Sequence, residues 1–379
     1  MQRKRLRALW LACLAVLAIS AHAETGITDS EILLGQSAAM SGPAAELGKG
    51  VNRGAKAYFD WINQHGGVNG RKIKLVALDD GYEPDRAEAN TKTLIDNQQV
   101  FALFGYVGTP TSNAALPLVS KASVPFIAPF TGADSLRTPL NRAVFNVRAS
   151  YRDEAEEIAE SMVKMGMKTV NVFYQNDAYG KAGLTAMQAA ASKHGLTIQA
   201  LATVQRNSVD VAKAVDELVV KKPANAVFMV TAYKSSAAFV AAARAQNFIG
   251  PFYNVSFVGT EALITELQRN GSGLIVSQVM PSPYSPTKPI TMDYVKVMKA
   301  AGVNTVDYPS LEGYIGARVM VEGLKRAGHG LTREKLVSAL EGLGDYDLGG
   351  YRVRFSNASH NGSQFVDLTV ISRDGGILN

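Results

Sequence analysis

From Glu31 to Val279 the chain alternates short apolar runs with stretches of helical spacing. Strands kept apart by helices cannot close as hairpins. They pair in parallel through crossovers, and the helices then cover both faces of the sheet. The first round reads Glu31–Ala39 as strand and Leu47–Gln64 as helix, with Val51, Ala55, Tyr58, Phe59 and Ile62 on one side. Lys72–Leu78 follows as strand, Pro84–Asn97 as helix, Val100–Phe104 as strand, Thr109 to about Lys121 as helix, and Val124–Ala128 as strand. Ala143–Ala149 reads as a strand linking two units, after which the alternation restarts. Helices are predicted at Arg152–Met165, Tyr179–His194, Val209–Lys221, Lys234–Gln246 and Thr260–Arg269. Between and after them fall strands Thr169–Tyr174, Thr197–Val204, Ala226–Val230, Phe252–Ser256 and Leu274–Val279. The pattern predicts two doubly wound sheets. A proline-rich crossing, Met280–Pro286, leads to helices at Ile290–Ala301, Pro309–Ala327 and Thr332–Leu343, then strands Tyr351–Phe355 and Phe365–Ser372. A lone strand pair cannot bury itself, so both strands are expected to return to a sheet already built.

Two adjacent strand ends stand out. Val100–Phe104 opens into Gly105-Tyr106-Val107-Gly108 and Thr109-Pro110-Thr111-Ser112; Val124–Ala128 stops at Pro129-Phe130-Thr131-Gly132. Ligands of open α/β sheets bind at the carboxyl ends of the strands. Thr109 reads as an N-cap with Pro110 at the first helical position. The N–H groups of that first turn, beside Thr and Ser hydroxyls, suit a small anion such as a carboxylate. A merely capped helix would look the same at one loop; two such loops side by side point to a binding site.

Residues 1–23 are set apart by a basic start (Arg3, Lys4, Arg5, Arg7), an apolar stretch from Ala8 to Ser20 too short to span a bilayer, and Ala21-His22-Ala23. This is the pattern of a secretory signal peptide with a mature start at Glu24. Four of the 39 basic residues and none of the 33 acidic ones lie in it, leaving 35 against 33. The basic balance is therefore mostly the leader's, and no Lys/Arg cluster suggests nucleic acid. Cys13, the single cysteine, would also go, so no disulfide or thiol chemistry is expected; Trp10-Leu11-Ala12-Cys13 is a poor lipoprotein site. At 47% apolar and 19% charged the chain is globular, and no later stretch could cross a membrane.

Taken together, Gly35–Pro43 (GQSAAMSGP), Gly66-Gly67-Val68-Asn69-Gly70, Asp79-Asp80 with Pro84, Gly105 with Thr109–Ser112, Pro125–Gly132 and Asn176–Gly180 (NDAYG) are specific in order and spacing. With them the chain resembles the leucine/isoleucine/valine-binding proteins of bacterial ABC importers. The resemblance implies an α/β type I periplasmic binding fold: two doubly wound parallel-sheet lobes joined by three crossovers, near Phe145, Ser277–Pro281 and Tyr346–Gly350. The N-lobe would be 24–145 with 280–346, and the C-lobe 146–279 with 347–379. It further implies a periplasmic monomer with no cofactor and no metal. This protein would close by hinge motion on a small solute, an amino acid or carboxylate, and hand it to an inner-membrane ABC permease.

The same resemblance assigns the ligand's carboxylate and ammonium to Thr109, Phe130 and Thr131, with Thr111, Ser112 and Gly132 behind them. It places Tyr179 and Tyr233 on the C-lobe side. Two departures follow from it. Ser256 stands where binders of aliphatic amino acids carry a glutamate facing the ammonium, and Leu47 stands where they carry an aromatic. A buried ammonium needs a counter-charge. Either another acid serves, with Glu312 the first to inspect against its reading as an exposed helix charge, or the ligand is an aromatic or aliphatic carboxylate without an amine. A ligand-sensing protein of the same fold is the other alternative. An enzyme is disfavoured: GxGxxG after a strand, GxxxxGK[ST], GxSxG and HExxH are all missing. His65, His194, His329 and His360 are scattered and read as surface residues, and Asp79-Asp80 as strand-end turn acids.

Overall fold

The computed structural model describes residues 24–378; the predicted signal peptide lies outside them. The first sheet has five strands: β1 (Glu31–Ala38), β2 (Lys72–Asp79), β3 (Ala102–Phe104), β4 (Phe126–Ile127) and β5 (Val144–Phe145), in the order β2-β1-β3-β4-β5. All its pairings are parallel. Its helices are α1 (Ala45–Gln64), α2 (Pro84–Lys92, continued by a π turn to Asn97) and α3 (Thr109–Ala122). Helix α1 buries Leu47, Val51, Ala55 and Phe59, a four-residue repeat that puts them on one stripe.

After α4 (Tyr151–Lys164) the second sheet is built from β6 (Thr169–Gln175), β7 (Thr197–Val204), β8 (Ala226–Val230), β9 (Phe252–Asn254) and β10 (Ile275–Gln278). Helices α5 (Ala178–His194), α6 (Ala212–Val215, continued by a π turn to Lys221), α7 (Tyr233–Ala245) and α8 (Thr260–Leu267) connect them. Helices α9 (Pro289–Ala300), α10 (Tyr308–Ala327) and α11 (Arg333–Glu341) follow and share one buried core with the first sheet: Ile290, Leu311 and Leu336 lie in the cluster that holds Ile32, Phe104 and Phe145. Four late strands are β11 (Gly344–Asp347), β12 (Arg352–Phe355), β13 (Asp367–Ile371) and β14 (Ile377–Leu378). The second sheet runs β14-β13-β10-β9-β8-β6-β7, with β13 and β14 antiparallel.

Several expectations are corrected. Only β13 of the two late predicted strands returns to an existing sheet. Strand β12 instead pairs with β11 as a two-stranded ribbon whose Phe355 ring lies 5.2 Å from Phe145. Strand β11 (GDYD) has no apolar run to announce it; it is held by cross-strand ion pairs, Asp345 accepting from Arg352 at 2.6 Å. Ala143–Ala149 contributes only Val144 and Phe145 to a sheet. His360 is buried, stacked on Phe145 at 3.9 Å with its Nδ1 on the Val144 carbonyl. Asp79 and Asp80 are turn acids as expected: Asp79 accepts from the N–H groups of Met40 and Gly81, and Asp80 from Ser37 Oγ and the Tyr82 N–H.

Candidate functional site

Strands β3 and β4 both break at positive φ, Gly105 at 60° and Ala128 at 54°. The chain therefore leaves both strands at one level, and the two loops pair again beyond them. Val107 bridges Phe130, the Phe130 N–H donates to the Tyr106 carbonyl at 2.7 Å, and the Gly108 N–H donates to the Phe130 carbonyl. Gly108, not Thr109, is the N-cap of α3. It sits at φ 105°, and a Cβ there would fall 2.2 Å from the Tyr82 ring. Thr109 is the first helical residue and Pro110 the second.

That register brings the two threonines together, Thr109 Oγ1 and Thr131 Oγ1 lying 2.7 Å apart. Thr131 Oγ1 also meets the Tyr151 hydroxyl at 3.3 Å and accepts from the Ala133 N–H. Thr111 does not join them: its hydroxyl donates to the carbonyls of Val107 and Gly108, inside its own loop. The hydroxyl of Ser112 is buried without a hydrogen-bond partner. Gly132 is close-packed; its carbonyl accepts from the Tyr151 N–H, and a Cβ would lie 2.6 Å from that nitrogen.

The second unit closes over these loops with aromatic rings. Phe257 lies 5.5 Å from Phe130, 5.8 Å from Tyr82 and 4.6 Å from Tyr179, while Tyr179 lies 5.5 Å from Tyr151. Tyr179 is fully buried, its hydroxyl has no partner, and burial holds its phenol far above the ordinary range. Thr109 and Thr131 are 1% and 0% exposed, so the two units are shut at this point. Polar contacts tie the rims. Gln175 donates to the Tyr82 hydroxyl at 3.2 Å, Arg206 bridges Glu83 and Asp177, and Asn207 donates to Glu83 and to the Gly81 carbonyl. Tyr233 is elsewhere. It lines a cavity of about 330 Å³ with Leu47, Gly259, Glu261 and Asp307, and none of the residues around Thr109 belongs to that lining.

Under Phe130 lies a buried charge cluster. Arg148 follows β5; its Nη1 is 3.4 Å from Glu312 Oε1 and its Nη2 3.3 Å from Glu154 Oε1. Nη2 also donates to Ser256 Oγ, and the guanidinium sits over the Phe130 ring, 4.9 Å from its centroid. Glu154 accepts from the Ser256 N–H at 2.7 Å and from Ser277 Oγ at 2.6 Å. The exposed-charge reading of Glu312 is thus wrong: α10 buries it between the units. Ser256 opens a single 3-10 turn after β9 rather than ending that strand.

Burial pushes the Glu312 carboxyl up to about 7, against the opposing pull of Arg148, from an ordinary value of 4.5. A carboxyl raised on folding makes the native state hold an extra proton between those values, so its stabilising share is complete below about 4.5 and is lost as pH rises through about 7. Glu312→Gln is therefore expected to flatten the fall in melting temperature across that window. Equal slopes for both proteins in a pH series of thermal unfolding would contradict it.

Arg148, Glu154, Tyr82, Tyr151 and Phe257 were not anticipated from the sequence. Glu154 had a signal: it lies on the buried stripe of α4 with Tyr151, Ala155 and Ile158, an acid where the spacing calls for an apolar residue. Among the described residues no group of three His, Cys, Asp or Glu could hold a metal ion, and no helix is long and apolar enough to cross a membrane.

Residues 31–376 match the family model described as periplasmic binding protein. The chain belongs to that family. The family is non-enzymatic, and the curated relatives of this periplasmic binding protein include proteins named as Leu/Ile/Val-binding proteins or their homologues. The protein is 24% identical to Leu/Ile/Val-binding protein homolog 8 of Brucella suis over 377 residues, covering 94% of this chain and 92% of that one. With homolog 3 of Brucella melitensis it shares 31% identity over 173 residues, 44% of this chain and 46% of that protein. The crystal structure of a possible leucine/isoleucine/valine-binding protein from Rhodopirellula baltica superposes with TM-score 0.88 at 34% identity, covering 92% and 96% of the two chains. Two structures show the fold alone. A Thermus thermophilus branched-chain amino acid transporter protein with bound valine has 17% identity and TM-score 0.84, covering 93% of this chain and 96% of that one. A solute-binding protein from R. palustris in complex with benzoate has 22% identity and TM-score 0.81, covering 92% and 95%.

Proposed function

We propose that this periplasmic binding protein captures a small carboxylate-bearing solute between its two units. The solute's carboxylate lies on the Thr109 and Thr131 hydroxyls and the first-turn amides of α3. The observation that carries this reading is the hydroxyl pair at 2.7 Å, buried at a helix N-terminus where two adjacent parallel strands end. Tyr179 and Ser112, each buried with an unpartnered hydroxyl, supply further groups a solute can satisfy. The units are the lobes 24–145 with 280–346 and 146–279 with 347–379, strand β12 of the last segment packing back on the first lobe at Phe145; they open and close by a hinge, and a membrane permease of the ABC type receives the solute from the periplasm. Tyr233 belongs to the rim of this cleft rather than its floor.

An amino acid and a carboxylate without an amine both fit that carboxylate position. The second is favoured by Ser256, which brings no charge, and by the guanidinium lying against it. A sensing role would use the same closure and differs only in the partner that reads the closed form.

A thermal-shift panel on protein freed of bound solute by unfolding and refolding, pairing α-amino acids with their amine-free counterparts, finds the solute: at one hundred times the Kd a ligand adds about 2.7 kcal/mol. By calorimetry, Thr109→Ala and Thr131→Ala are each expected to weaken that solute by about 1–3 kcal/mol, roughly 5- to 150-fold. Unchanged affinity in both variants rejects the site.

A further inference from the structure

We infer that Arg148 sets the charge of the solute: its guanidinium supplies inside the cleft the positive charge that an amino acid would bring on its ammonium, so the site selects a carboxylate lacking an amine. The inference rests on the carboxylate reading above and adds the group that chooses between its two ligand classes.

Arg148 is buried where both units meet, and its donors are only partly used. Its contacts to Glu154 and Glu312, at 3.3 and 3.4 Å, are long for charge-assisted hydrogen bonds, and its Nε–H is buried with no partner. A guanidinium offers five N–H donors in a rigid fork suited to a carboxylate. This one lies against the ring of Phe130, the residue before Thr131, and Tyr151, three residues along from Arg148, carries its hydroxyl to Thr131. The cation and the threonine pair are therefore joined through Phe130 and Tyr151.

Of the two acids around it, Glu154 leaves no place for a second cation. Glu154 is already satisfied by the Ser256 N–H, by Ser277 Oγ and by Arg148. Glu312, facing from α10, has Arg148 as its only side-chain partner among the described residues. An incoming ammonium would have to share one of these carboxylates with the guanidinium and sit as a like charge within a few ångströms of it, in a region shut from water. An amine-free carboxylate brings one negative charge and no positive one. It meets a cation with a spare donor, while the Phe130, Phe257, Tyr82 and Tyr179 rings supply an apolar wall for the rest of the solute.

The test is calorimetry with ligand twins that differ only in the amine: leucine against 4-methylpentanoate, and phenylalanine against 3-phenylpropanoate. Wild type is expected to bind an amine-free acid at least 100-fold more tightly than its twin. Arg148→Met should weaken that acid at least 30-fold and shrink the gap between twins, whereas Arg148→Lys, which keeps the charge, should recover part of the preference. Circular dichroism and thermal unfolding of each variant separate these losses from misfolding, and the wild-type comparison stands even where a variant does not fold. Wild type that holds the amino acid as tightly as its twin, or Arg148→Met that holds the acid as tightly as wild type, overturns the inference and leaves the carboxylate reading standing. Absence of binding by both twins in both series overturns the carboxylate reading and this inference with it.

Discussion

Glu154→Ala is expected to lower the stability of this periplasmic binding protein by about 3–5 kcal/mol, the cost of stranding one member of a buried ion pair. The Glu154 carboxylate is 0% exposed and satisfies three donors from three stretches of chain: the Arg148 guanidinium, the Ser256 N–H and Ser277 Oγ. Alanine leaves all three without that acceptor in a region water does not reach, and it leaves the guanidinium with Glu312, at 3.4 Å, as its one carboxylate. The penalty belongs to the stranded partners more than to the lost pair. The double change Arg148→Met/Glu154→Leu, which removes both charges and fills the space with apolar atoms, should therefore recover most of it. Glu312→Gln should cost clearly less, because Glu312 accepts from one donor where Glu154 accepts from three. Denaturant unfolding of the four proteins checks the order; a loss below about 1 kcal/mol for Glu154→Ala would mean that the cluster is open to solvent.

The second large effect is expected at Gly54. Helices α1 and α10 cross with backbone on backbone: a Cβ at Gly54 would lie 1.8 Å from the Ser310 carbonyl oxygen, and one at Gly313 would lie 2.1 Å from the Val51 carbonyl oxygen. Glycine at Gly50, Gly54 and Gly313 lets the axes approach more closely than side chains allow. Gly54→Ala must push the helices apart, since the obstacle is a carbonyl in a helix and not a flexible side-chain end. The expected cost is about 3 kcal/mol or more, at the upper end for overpacking. Glu312 lies two residues beyond Ser310, so the displacement should also weaken solute binding. Gly271→Ala, whose methyl would meet its neighbours at 3.4 Å or more, should change stability by less than about 1 kcal/mol. Equal melting temperatures for the two variants would show that the crossing is not close-packed.

The local signals read correctly where a pattern repeats within a few residues. The alternation of apolar runs and helical spacing required parallel pairing, and β1 to β10 pair in parallel throughout their two sheets. The small, hydroxylated loops after two successive strands read as neighbours, because successive strands of such a sheet usually pair, and Thr109 and Thr131 lie in those two loops. Errors gathered where a state depends on a distant partner. Strand β11 was missed because its pairing with Arg352 and Arg354, not its hydropathy, makes it a strand. Thr109 reads as the cap because it is the better capping residue; Gly108 holds that place because Tyr82 lies where any Cβ would go.

The sequence by itself determined the class of the fold, the family resemblance and the pair of adjacent strand-end loops proposed here to hold a carboxylate, since each is written in spacings of a few residues that the backbone converts directly into strands, helices and turns. Only the tertiary structure assembled the buried charge cluster. Arg148 meets Glu154 across 6 residues of chain, Ser256 across 108 and Glu312 across 164. A lone arginine after an apolar strand says nothing about which acids will face it. Its role exists only once α4, the turn after β9 and α10 converge on it, because a buried charge is defined by what replaces its water.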